Sequence, residues 1–135
     1  MNITKGFKSN IESDTLNNPN FRKVLYTGKH SQLVLMSLRP GEEIGEEVHD
    51  TVDQFFRFEH GEGVVSIDKV QQKVKDGDAV IVPSGAWHNV TNSSKTTDLK
   101  LYTIYSPPEH VDKTLRKTKA EALAKPEEFD GKTTE

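Results

Sequence analysis

The chain contains no cysteine, which excludes disulfide frameworks, thiolate zinc sites and cysteine nucleophiles together. It also lacks a basic excess. Eighteen Lys and Arg stand against 21 Asp and Glu, a formal net charge of −3, whereas domains that neutralise phosphate backbones normally carry a basic patch. Nucleic acid is therefore not an expected partner. No run approaches the ~20 apolar residues that a membrane span requires, and no apolar segment follows the two lysines of Met1–Asn10. The expectation is a cytoplasmic protein with no membrane contact. A domain of 135 residues buries roughly two-thirds of the surface of its unfolded chain, enough to fold without a staple. A metal in such a chain is functional before it is structural.

What the chain does have is a rhythm of short apolar runs: Val24–Tyr26, Leu33–Leu38, Gln54–Phe58, Gly63–Ile67, Ala79–Val82, Asn89–Thr91 and Leu99–Tyr105. Turn chemistry separates them, as in Arg39-Pro40-Gly41, Asp76-Gly77-Asp78 and Pro83-Ser84-Gly85, and this spacing predicts an all-β sandwich or barrel. No stretch before Ser106 has a helical period. Residues 1–23 read as an N-terminal arm, 24–108 as the barrel and 109–135 as a charged helix and tail, the helix near Asp112–Ala124 with a thin apolar face of Val111, Leu115 and Leu123. The tail is expected to fray. Lys69–Lys75 is open between a hairpin arm and a loop. Leu33–Leu38 is almost wholly apolar, so a second sheet or subunit is expected to cover its outer face, which points to a homodimer.

Two segments carry the chemistry. The first runs Gly41, five residues, Glu47-Val48-His49, four residues, Gln54, six residues, Gly61; the second runs Gly77, five residues, Pro83-Ser84-Gly85, two residues, His88, three residues, Asn92. Residues two apart on a strand share a face, so Glu47 points with His49, Gln54 with Phe56 and Phe58, and His88 with Asn92. In one small barrel Glu47, His49, Gln54 and His88 can converge on the interior. Two imidazoles, a carboxylate and an amide oxygen make a plausible set of ligands for one divalent first-row metal, and buried together without one they would be costly to desolvate.

These segments resemble the two motifs of the cupin superfamily, Gly-x5-His-x-His-x4-Glu-x6-Gly and Gly-x5-Pro-x-Gly-x2-His-x3-Asn. Gly77, Pro83, Gly85, His88 and Asn92 match the second at every position. The first keeps its spacing, with Glu47 where the family usually has a histidine and Gln54 where it has a glutamate. The resemblance implies a single-domain jelly-roll β-barrel with a short C-terminal α-helix, a divalent metal (Mn, Fe, Ni, Zn or Cu) at its base, and frequent dimerisation. The layout is similar to small bacterial cupins of the mannose-6-phosphate-isomerase-like kind. Cupins host many reactions, so fold alone does not give function.

The metal ligands expected on this basis are Glu47, His49, His88 and Gln54, with a hydrogen bond to a bound water or substrate as the alternative for Gln54. Phe56 and Phe58 are read as barrel lining able to touch substrate. Glu47 and whichever of Tyr102 and Tyr105 faces inward are the candidate proton carriers. Trp87 and Arg57 are expected outside the barrel, His60 in a turn, and His30 and His110 at the solvent or an interface. The leading function is metal-assisted isomerisation of a small oxygen-rich substrate, a sugar or a hydroxy or keto acid. Its rivals are non-haem iron dioxygen chemistry and a sugar-binding module without turnover.

Overall fold

A computed structural model describes residues 5–135; Met1 to Thr4, the start of the expected arm, lie outside the described residues. Its elements are α1 (Ile11–Leu16), β1 (Arg22–Thr27), β2 (Gln32–Leu38), β3 (Asp53–His60), β4 (Glu62–Ile67), β5 (Val70–Lys75), β6 (Ala79–Val82), β7 (His88–Asn92), β8 (Leu99–Ser106), β9 (Leu115–Arg116) and α2 (Lys119–Ala124). One sheet has the order β6-β3-β8-β2-β1-β9 and the other β5-β4-β7. Their inner faces meet in one core, with Val34, Met36, Leu38, Phe56, Phe58, Leu99 and Leu101 from the larger sheet against Val65, Val74 and Val90 from the smaller. The all-β jelly roll expected from the motif spacing is the fold.

Register gives the interior two ends of different chemistry. Leu38 pairs with Leu99, and Phe58 with Leu101, so the interior is aliphatic and aromatic at one end. At the other end Gln32 and Gln54 flank Tyr105 on neighbouring strands. All three are buried, and a buried polar side chain needs a partner. This polar end holds the site.

Several sequence expectations change. Helix α1 lies in a region where no helical period is visible: six residues are fewer than two turns, too few to display a period. Asn10 caps it, accepting from the Ser13 amide at 3.0 Å. The helix packs on β2, β3 and β8, so Leu35, on the face opposite Val34 and Met36, is only 2% exposed. An internal helix therefore supplies cover that a second sheet or subunit was expected to give.

The helix expected over Asp112–Ala124 is confined to Lys119–Ala124, where Thr118 accepts from the Glu121 amide as its cap. Before it, Lys113 takes φ +65° and Leu115–Arg116 pair with β1, so sheet pairing overrides helix propensity there. Leu123, assigned to the apolar face, is 72% exposed. The tail does not fray: Phe129 N–H donates to the Glu109 carbonyl, Thr134 N–H to that of Thr27, and Tyr26 Oη to Glu135 at 2.6 Å. The open segment forms a hairpin, with Asp68 and Lys69 both at positive φ between β4 and β5, the two-residue turn that matches strand twist.

Gly61 combines φ +107° with a position where a Cβ would lie 2.7 Å from the Asp98 carbonyl oxygen. Gly61→Ala is expected to destabilise the fold by about 1–3 kcal/mol, read as a lower denaturation midpoint with an unchanged slope.

Candidate metal centre

The segment before β3 is held to β7 by paired main-chain hydrogen bonds. Glu47 N–H donates to the His88 carbonyl and His88 N–H to the Glu47 carbonyl, each at 2.8 Å. Residues that exchange both bonds stand directly opposite with their side chains on one face. His49, two residues on, is fixed through its carbonyl, which accepts from Gly85 N–H at 2.9 Å. That amide is presented by a turn in which Gly85 has φ +83°, while Ser84 N–H is tied to Asp53 Oδ1 at 2.9 Å. The Pro83-Ser84-Gly85 turn of the second motif thus positions the histidine of the first.

Ligand-type atoms of Glu47, His49 and His88 lie within 4.8 Å of one another. His88 Nδ1 lies 3.0 Å from the Ala86 carbonyl oxygen, so its N–H is donated there and the lone pair is on Nε2. His49 Nδ1 lies 3.4 Å from Glu109 Oε1, and its Nε2 lies 3.2 Å from Glu47 Oε2. The latter contact lacks hydrogen-bond alignment, and Nε2 of both histidines is buried without a partner. Gln54 donates through Nε2 to Thr103 Oγ1 at 3.0 Å, leaving its buried Oε1 unpartnered. Each unsatisfied buried polar atom costs about 1–3 kcal/mol. A divalent cation between the two imidazoles and the carboxylate would satisfy both nitrogens, and this donor set suits a first-row metal.

Electrostatics agree. His49 is pushed up to about 9, first by the adjacent carboxylates of Glu109 and Glu47, against the opposing effect of burial. Burial pushes the Glu47 carboxyl upward, but the His49 imidazole beside it and the Arg22 guanidinium outweigh it and hold Glu47 below its usual range. Without a metal, a proton on His49 occupies the space between two carboxylates.

The polar end contains residues that the motifs do not mark. Glu109 backs His49. His110, expected at solvent or an interface, is 8% exposed, with Nε2 3.2 Å from Tyr105 Oη and Nδ1 2.8 Å from Glu127 Oε1. Burial lowers its pKa more than Glu127 raises it, so His110 is neutral, donating to Glu127 and accepting from Tyr105. Of the two tyrosines, Tyr105 faces inward, edge-on to the His49 ring at 5.9 Å. Tyr102 pairs with Arg57 and packs on Phe55 at 6.3 Å, on the outer face, and is removed from the site. Phe56 lies 6.3 Å from the His88 ring and Phe58 stacks beyond it; both are sealed in the core and form a floor. Trp87 and Arg57 point out, and His30 and His60 are exposed.

A cleft of about 270 Å³ opens onto the cluster, lined by Arg22, Glu47, His49, Glu109, His110 and Glu127 among others. A wider depression of about 590 Å³ lies against β4 and β5, away from these ligands.

Elemental analysis of untagged protein is expected to give about one metal per chain, lost in His49→Ala and in His88→Ala. Glu109→Gln should keep the fold and weaken metal affinity about 10–100-fold, because it removes the carboxylate that orients His49. Since a proton competes for His49 up to about pH 9, apparent metal affinity should fall as pH drops, by about tenfold per unit. Metal-free stability should run the opposite way: the His49 contribution is complete below the unfolded value near 6.5 and is lost as pH rises through 9.

Comparison with known proteins agrees with this geometry. The family described as "Cupin domain" matches residues 34–105, a span that holds Glu47, His49, Gln54, His88 and Tyr105. A crystal structure of BH2720 from Bacillus halodurans is 44% identical, with a TM-score of 0.87 over 90% of this chain and 96% of that one. YrkC of Bacillus subtilis is 49% identical over 126 residues, 89% of this chain and 67% of its own length. Protein L612 of Acanthamoeba polyphaga mimivirus is 44% identical over 75% of this chain; this chain spans 65% of its length. A Thermotoga maritima protein described as a predicted oxalate decarboxylase is 26% identical with a TM-score of 0.56, over 59% of this chain and 69% of that one. With more than half of its length matched, both motifs in place and its ligand cluster at the mouth of a jelly roll, this chain belongs to the cupin domain family.

Proposed function

We propose that the chain is a metal-dependent enzyme that isomerises a small oxygen-rich substrate, a sugar or a hydroxy or keto acid. The observation that carries this reading is the pair of unpartnered Nε2 atoms on His49 and His88 beside Glu47, at the end of a cleft open to solvent. Glu47, His49 and His88 would hold one divalent ion (Mn, Fe, Ni, Zn or Cu), with Gln54 Oε1 as a fourth donor or a hydrogen-bond partner for the ligand. Such an ion supplies Lewis acidity toward a substrate carbonyl. Three protein donors leave positions for substrate oxygens.

The remaining work falls to this chain's own groups. Glu47 stays ionised and would serve as the acceptor of a proton from substrate carbon. Burial pushes the Tyr105 hydroxyl well above the usual tyrosine range, so it holds its proton, and His110 and Glu127 fix its orientation. It can turn that hydrogen bond from His110 to a substrate oxygen and stabilise charge developing there. Phe56 and Phe58 close the floor and keep water from entering below His88.

Loss of carbon-bound protons is measurable before the substrate is known. Metal-loaded protein in D2O is expected to incorporate deuterium beside the carbonyl of a responsive aldose, ketose or keto acid, followed by NMR. Tyr105→Phe should keep its metal and slow that exchange about 10²–10³-fold. No exchange across such a panel by a metal-replete protein overturns isomerisation. The donor set of two histidines and one carboxylate also supports a second reading, non-haem iron dioxygen chemistry, and oxygen uptake by iron-loaded protein with an added acid separates the two.

A further inference from the structure

Arg22 is the unexplained group of this cleft. It begins β1 on the same inward face as Val24, is only 8% exposed, and its Nε is buried with no partner. Arginine is rarely buried unless paired, since an uncompensated buried charge is strongly destabilising. The obvious partner is Glu127, but the closest approach of the two is 3.9 Å, from Arg22 NH1 to Oε1, beyond a hydrogen bond. That carboxylate is already taken. His110 Nδ1 lies 2.8 Å from the same oxygen, and Arg116 NH2 lies 3.3 Å from Oε2.

The register explains the surplus. Arg22 and Arg116 are direct partners across β1 and β9, so two guanidinium groups flank one carboxylate. Arg116 also donates to the Lys125 carbonyl from Nε and NH2. The Phe21 ring, 5.3 Å from Arg22 Cζ, gives a cation–π contact but accepts no fork of hydrogen bonds.

The other charges lining the cleft are accounted for. Glu109 is beside His49 and Glu47 is in the ligand cluster. Glu128 is exposed at the rim and Lys119 is half-buried. A divalent ion would be offset by Glu47 and Glu109 together, and Glu127 offsets Arg116, so Arg22 is the positive charge left over. A volume of about 270 Å³ is below the ~300–1,000 Å³ usual for drug-sized ligands, so the occupant has few carbons.

We infer that Arg22 is the carboxylate receptor of this cleft, and that the ligand is a small hydroxy or keto acid spanning Arg22 and the Glu47-His49-His88 cluster, in preference to a neutral sugar. This rests on the metal-dependent reading above and narrows its substrate class. The planar guanidinium matches a carboxylate with two parallel hydrogen bonds, which supplies the partners that Glu127 cannot.

The test is full-length protein loaded with cobalt(II), whose visible bands report substitution at the metal. Pyruvate and lactate are titrated against their amides, pyruvamide and lactamide, which keep the shape and remove the charge. The acids are expected to bind about 10–100-fold more tightly than the amides. In Arg22→Met that preference should disappear while amide binding and cobalt uptake persist, and Arg22→Lys should restore part of it, as a point charge without the fork. Arg22→Gln reads the same loss should the methionine variant fail to fold. A preference for acids that survives in Arg22→Met or Arg22→Gln, or neutral sugars binding where acids do not, overturns the inference and leaves the metal reading standing. A chain that takes up no cobalt overturns both.

Discussion

The double hydrogen bond between the main chains of Glu47 and His88 is the contact on which the site depends. It joins a segment with little regular structure of its own to a strand of the smaller sheet. By placing two ligand-bearing residues opposite each other, it sets side-chain convergence through backbone register. A slip of one residue would turn one of these side chains to the other face. The Gly85 amide on the His49 carbonyl and Asp53 on the turn act on the same geometry from a second direction. The carboxylate and imidazoles therefore gather at solid backbone, and the strain of holding unpartnered nitrogens together falls on the fold.

From that point the interior is graded. Apolar layers through Phe58, Leu101 and Leu99 supply the hydrophobic stabilisation, and glutamines, tyrosine and histidines are confined to the other end. The polar side chains there are satisfied in chains rather than singly: Gln54 to Thr103 to the Phe55 carbonyl, and Tyr105 to His110 to Glu127. Such networks orient their members strongly when complete. The few atoms left out of them, on His49, His88, Gln54 and Arg22, face the same region of the molecule as the cleft and cluster or adjoin it.

How much of this could be read in advance depended on how local each feature is. Glu47, His49 and His88 were legible because the spacings in two short segments place them, and the strands were legible because turn residues punctuate alternating runs. Between the two tyrosines, strand phase alone could not choose; pairing to β2 and β3 puts Tyr105 inside. Helix α1 left no periodic trace because it is shorter than two turns. Over Asp112–Ala124 local composition favours helix, yet pairing of Leu115–Arg116 with β1 wins. Arg22, Glu109, His110 and Glu127 come from opposite ends of the chain and meet through that pairing and through Gln32, whose Oε1 accepts from the Glu109 and His110 amides. No spacing rule could join them, although a histidine and two glutamates soon after the last barrel strand were a visible signal.

Much of the cleft wall comes from chain outside the stretch that the family model matches. The ligand-bearing residues fall within 34–105, the stretch matched by the family, whereas Arg22 precedes it and Glu109, His110, Leu123, Pro126 and Glu127 follow it. The candidate metal cluster and much of the cleft wall thus lie in separate stretches of the chain. Substitutions in these flanking stretches would reshape the cleft wall while leaving in place the segments that carry Glu47, His49 and His88, so similarity measured over residues 34–105 says little about the mouth of the cleft.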